Sequence, residues 1–272
     1  MHSPLTYLVA LAYLLLAGWY WRAHWRQRAS AVESPQKALE PLYVAAPWLA
    51  HGALLYAGFF ATPGLNLGLG ETVSMTAWLT VLIYTLINWR HQLDGLQSVV
   101  LLIGAIGAVM PALLPTSHAL VHSQFLLFKA HLLIAFLAYS LLLIAALHAL
   151  LMTVVEHNLH RHVNAPPVMR ALPPLLTMES ALFRMISVGF VLLTLTLLSG
   201  MIFSEEIFAA PLTITHKTVF AIISWLIFAA LLVGRYFYGW RGRTAVRWTI
   251  AGFIALLLAY YGSRFVFEVL RG

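Results

Sequence analysis

The chain has 272 residues, 61% of them apolar and only 9% charged, a balance well outside that of soluble domains. It reads as an all-α polytopic membrane protein, in which eight helices of about 20 residues nearly exhaust the length and leave no room for a separate soluble domain. The absence of cysteine excludes disulfides, thiolate metal sites and thioether attachment of a cofactor, and the net charge of +7 gathers in loops on one membrane side, which argues against a nucleic-acid partner.

In chain order, the first apolar run, 5–21, lacks a basic leader and a small-residue cleavage site, so it reads as a retained helix and not a signal peptide. Trp19, Tyr20, Trp21 and Trp25 close it as an interfacial aromatic cluster, with Arg22, Arg26 and Arg28 close by. Beyond a polar linker come helices at 41–60, 72–89 and 96–114. The first of these carries His51 near its middle, the second follows the glycine-rich turn TPGLNLGLGET, and the third holds Gly104 and Gly107, small enough for close helix contact. A loop with His118 and His122 then leads into 125–155, roughly thirty residues without an acid and with one base, Lys129. His131 sits one or two turns into that helix and His148 lies deep within it.

The longest polar loop, 156–178, precedes a helix at 179–203, on which Glu179 and Arg184 read as an interfacial ion pair; Glu205 and Glu206 follow. A helix at 215–234 opens with Thr215, His216 and Lys217, and the last runs from 249 to 269. No internal repeat is evident, and the whole of 1–272 reads as one integral membrane domain. With the first helix leading inward, the inner loops and helix ends collect twelve of the sixteen Lys and Arg residues, leaving Lys129, Lys217, Arg264 and Arg271 outside. The positive-inside rule therefore puts both termini, and the end of the fifth helix carrying His131, on the periplasmic side.

Of the twelve histidines, His2, His24, His91, His157, His160 and His162 fall in loops or at interfaces, where a solvated imidazole needs no special role. His148 reads as hydrogen-bonded core, and His118 with His122, four apart, makes a weak metal signal. His51, His131 and His216 remain, ionisable groups within membrane helices, which are costly and mark functional sites. His131 and His216 each lie within about two turns of the outer end of their helices, at a depth that suits the two axial positions of a haem iron. His51 lies two to three turns deeper. The competing reading is three separate interhelical hydrogen bonds, each worth about 1 kcal/mol. Lys217 is placed to meet Glu205, Glu206 or a ligand carboxylate. Tyr84, Trp89, Tyr139, Trp225, Trp240 and Trp248 read as packing or interface anchors. No P-loop, dinucleotide fingerprint, HExxH or nucleophile elbow is present, and no catalytic residue is assigned.

From the fifth helix onward, over 125–269, the sequence resembles the CcsA-like cytochrome c assembly family of haem-handling membrane proteins. The likeness is carried by ALFRMISVGFVLLTLTLLSGMIFSEEIF, HKTVFAIISWLIFAALLVGR and GWRGRTAVRWTIAGFIALLLAYYGSRF, in order and spacing. AHLLIAFLAYSLLLIAALHAL resembles the segment bearing that family's external haem-ligating histidine, here His131, and WLAHGALLYAGFF with LGLGET resembles the region of its intramembrane histidine, here His51. The family's tryptophan-rich WWD segment is replaced by FAAPLTITHKTV, in which the lysine persists as Lys217 and His216 stands where a proline would be. The family's histidine at the inner end of the seventh helix has no counterpart at 233–235, and its histidine after the last helix is missing before Gly272. This pattern resembles the shorter YpjD/HemX-like branch rather than a synthase delivering haem to apocytochrome c.

The resemblance implies a bacterial inner-membrane protein that binds b-type haem non-covalently near the periplasmic face, for haem handling, sensing or electron transfer. His131 and His216 are the expected axial ligands, Lys217 is available to a propionate, and His51 is a further cofactor-binding candidate. The expected partners are the bilayer, haem and another membrane or periplasmic protein. The alternatives are a non-haem accessory or scaffold protein that keeps the family fold and, third, a transporter, whose paired broken helices are not found.

Overall fold

The structure is a computed structural model and describes residues 4–26, 40–59, 65–91, 94–114, 119–120, 126–160, 174–206 and 216–262. Among these residues the architecture is helical: α1 (Pro4–Arg26), α2 (Glu40–Phe59), α3 (Leu69–His91), α4 (Gln97–Leu113), α5 (Leu126–His160), α6 (Leu175–Glu206), α7 (His216–Tyr238) and α8 (Gly242–Leu257), the last running into a π-helical turn, Leu258–Gly262. The only extended segments described are two residues long. Seven of the eight helices are long and apolar enough to cross a membrane, and α4 is a shorter apolar helix of 17 residues. At 1.5 Å per residue the 35 residues of α5 reach about 50 Å, well beyond the ~30 Å hydrocarbon core.

Helix α8 begins seven residues before the expected start at 249. The residues before 249 form the amphipathic start of the helix, with Arg243 and Arg247 exposed while Ala245, Val246 and Thr249 are buried.

The packing forms two compact units: Met1–His118 with Val154–Leu175, and Ala119–Thr153 with Leu176–Gly272. In the first, α1 to α4 alternate in direction. Tyr13 of α1 meets His51 of α2, His51 meets Ser74 of α3, and α3 lies along α4. The small residues of α4 make this possible. A β-carbon on Gly107 would overlap that of Ala77, and one on Gly104 would fall 2.9 Å from Val81 and 3.3 Å from the Tyr13 ring. Helices α2 and α3 are also clasped by stacked indoles, Trp48 and Trp78, each donating its N–H to the other's carbonyl at 3.2 and 2.9 Å.

In the second unit α5 and α6 are antiparallel. His131 meets Ser199 near one end, and His148 donates from Nε2 to the Met178 carbonyl near the other. Trp225 donates to Thr194 Oγ1 and so ties α7 to α6, and Ser224 donates to the Gly252 carbonyl and ties α7 to α8. Such interhelical bonds hold helices together where lipid removes the hydrophobic contrast between helix and solvent. The faces turned away from these contacts are apolar, with Val219, Ile222, Leu226 and Val233 exposed on α7 while Ser224 and Gly234 are buried, the pattern of a surface solvated by lipid tails.

Candidate functional site

Helix directions bring the beginning of α5, the end of α6, the beginning of α7 and the end of α8 to one end of the second unit. His131 is half-buried there, its Nδ1 2.8 Å from Ser199 Oγ. Its Cε1 lies 3.4 Å from where a β-carbon on Gly200 would stand, so the ring rests against a wall without a side chain. His216 is exposed at the first position of α7. Lys217, also exposed, holds its Nζ 5.7 Å from the Tyr260 ring centre. From Tyr260 an edge-to-face series of rings continues to Tyr261 at 5.7 Å and Tyr139 at 5.6 Å, and the Tyr139 hydroxyl donates to the Leu256 carbonyl. Thus His131, His216 and Lys217 share one end of one unit, with Tyr139, expected as a packing residue, and with Ser199, Tyr260 and Tyr261, which sequence reasoning did not single out. The step Ser199–Gly200 near the end of α6 is the small-residue signal that could have marked the His131 wall.

His51 belongs to the other unit. Its ring is 1% exposed, with Nε2 2.9 Å from Ser74 Oγ and the Tyr13 ring edge-on at 5.8 Å. His51 Nδ1 and Tyr13 Oη are both buried without a hydrogen-bond partner among the described residues. His148 is the hydrogen-bonded core residue its depth implied. His118 and His122 lie outside the described residues, as do the side chains of Glu205 and Glu206. Among the described residues no group of three or more His, Cys, Asp or Glu side chains is gathered for a metal ion.

The opposite end of this unit corrects one expectation. Glu179 pairs with Arg235 at 2.6 Å and lies 3.7 Å from Arg241, while Arg184, its expected partner, is exposed. Five residues separate the expected pair by about 140° around a helix, so the two side chains leave on different faces.

A family model described as cytochrome C assembly protein matches residues 39–271, most of the chain and both units. The chain belongs to the cytochrome c assembly family. Within it, the chain is 30% identical over 207 residues to the inner membrane protein YpjD of Escherichia coli K12, covering 76% of this chain and 77% of that one. It is 38% identical over 89 residues to the cytochrome c biogenesis protein CcsA of Prochlorococcus marinus MIT 9515, covering 33% of this chain and 28% of that one. With seven apolar spans and an inner-membrane relative of this coverage, the chain is a multi-pass protein of the bacterial inner membrane.

Proposed function

We propose that this member of the cytochrome c assembly family binds b-type haem non-covalently at the His131 end of its second unit, in a haem-handling role related to cytochrome c biogenesis. Family membership supports the haem-handling role. The observation that carries the specific reading is the donor set at one end of one unit: a half-buried His131 bonded to Ser199, with exposed His216 and Lys217 on the helix that begins at the same end. His131 and His216 would hold the haem iron through imidazole nitrogens, and Lys217, carried over Tyr260, would neutralise a propionate. A bis-histidine haem so held would supply a low-spin one-electron couple. The protein's part is to fix the imidazoles and to place a cation where the carboxylates emerge. The distribution of basic residues supports a periplasmic position for this end.

A second position at His51 is favoured by one observation, the buried Nδ1 without a partner. It requires Tyr13 to withdraw from its place beside the ring.

The deciding experiment is a reduced-minus-oxidised spectrum of the detergent-purified protein, with haem quantified as pyridine haemochrome. A sharp reduced α-band and about one haem per chain are expected. His131→Ala and His216→Ala each abolish the low-spin spectrum, while His148→Ala costs stability, about 2–3 kcal/mol, and keeps it. His51→Ala lowers haem content below the wild-type value only where the second position is used. A colourless protein that takes up no added haem replaces this reading with that of a scaffold retaining the family fold.

A further inference from the structure

The start of α8 carries a charged stripe that neither the helix packing nor the candidate haem site uses. Arg243, Arg247, Ala251 and Ile254 are all exposed, and at 100° per residue they fall within a sector of about 80°. The buried Ala245, Thr249 and Leu256 lie on the opposite side of the helix. The two arginines therefore stand one turn apart above an apolar strip, with Ile254 about 10 Å further along the axis than Arg247. Neither α7 nor α8 contains an acid, so no pairing along either helix neutralises them. Among the described residues at this end the carboxylate is that of Glu179, which Arg235 takes at 2.6 Å, with Arg241 Nε at 3.7 Å.

The connection from α7 holds this stripe in place. Its glycines, Gly239 and Gly242, have φ of 66° and 52°, and the Trp240 N–H donates to the Gly234 carbonyl at 3.1 Å. The Trp240 ring fills the space that a β-carbon on Gly234 would occupy, and it meets the Trp248 ring at 5.1 Å. Tyr236, Phe237 and Tyr238, exposed in the last turn of α7, are anchors suited to a membrane–water interface and set the arginines at headgroup depth. Retention of basic residues during insertion accounts for arginines at this end. It does not require two of them without an acid, one turn apart, over a strip fit for an acyl chain.

We infer that Arg243 and Arg247 bind the phosphate of an acidic phospholipid whose acyl chain runs along Ala251 and Ile254. Guanidinium groups suit this ligand, since their planar N–H pairs match phosphate oxygens while their alkyl stems cover apolar surface. The net negative charge of the lipid supplies the neutralisation that the two helices lack. The site is independent of the haem reading and of the leaflet that the turn faces.

The test titrates the full chain, purified in neutral detergent, with phosphatidylglycerol and counts bound lipid by native mass spectrometry. Phosphatidylcholine and inorganic phosphate serve as comparisons. An arginine near an acidic surface contributes about fivefold in affinity, so Arg243→Gln with Arg247→Gln should weaken the tightest phosphatidylglycerol site roughly 25-fold. The paired Arg243→Lys and Arg247→Lys variant keeps the charge and should stay within about fivefold of wild type. Arg184→Gln, which removes an exposed arginine of α6, should leave that site unchanged. Wild-type affinity in the double glutamine variant, an equal loss in Arg184→Gln, or equal binding of phosphatidylcholine overturns the inference. So does a double lysine variant as weak as the glutamine one, which would mean that the arginines shape the helix start and meet no lipid. Displacement of the lipid by inorganic phosphate at equal concentration would reduce the site to one for free anions and overturn it as well.

Discussion

Glu179 shows how much one side chain can carry in this setting. It is 7% exposed, and its carboxylate meets Arg235, which is also held by the Trp240 carbonyl at 3.3 Å and lies over the Phe183 ring at 4.6 Å. Removing one member of a buried pair strands the charge of the other, which costs more than the pair contributes. Glu179→Ala should therefore destabilise the protein by about 3 kcal/mol, and Glu179→Gln by less, because an amide still accepts from the guanidinium. Replacing the exposed Arg184 by alanine should change stability by no more than about 0.5 kcal/mol. Thermal unfolding in detergent measures all three; equal effects of Glu179→Ala and Arg184→Ala would return the ion pair to the one expected from sequence. Glu179 and Arg235 are 56 positions apart, a pairing that no local pattern encodes. Ser199 escaped notice for the same reason: a serine that bonds back to its own helix says nothing until a second helix brings a histidine to it.

Helices were legible because the bilayer makes them so. A backbone in hydrocarbon must satisfy its own polar groups, and runs of apolar residues of sufficient length announce where it does. All eight expected helices are present, and the one start misplaced by seven residues, that of α8, is where arginines line an otherwise apolar face. What hydropathy leaves open is which helices touch. Among small residues it gave a partial answer, since Gly104 and Gly107 do mark a close contact, although their partners on α3 were not foreseeable. That contact can be tested by exchange. Gly107→Ala should destabilise the first unit by about 1–3 kcal/mol, because the new methyl overlaps Ala77. Adding Ala77→Gly returns the missing volume, and the double variant should melt above Gly107→Ala alone although it places a glycine within α3, a change that costs about 1 kcal/mol in an ordinary helix. A double variant no better than the sum of its parts would mean that α3 and α4 do not approach as described.

The molecule as a whole distributes its charge with the same economy. Among the described residues, the end of the second unit that carries His131 holds Lys129 and Lys217, while the other end holds Arg235 and Arg241 at the carboxylate of Glu179 together with the exposed Arg184, Arg243 and Arg247. Because Lys and Arg are retained on the cytoplasmic side during insertion, that asymmetry predicts an orientation with the candidate haem ligands toward the periplasm. The chain offers a direct way to examine this, for it contains no cysteine. A single cysteine introduced at Lys129, exposed in the first turn of α5, should react in intact cells whose outer membrane admits a charged maleimide that cannot cross the inner membrane. One at Arg243, exposed at the start of α8, should react only after the inner membrane is opened. The reverse pattern would place His131 and His216 on the cytoplasmic face. Haem bound there would meet cytoplasmic partners, and a role tied to cytochrome c maturation would lose its geometric basis while the ligand set itself stood unchanged.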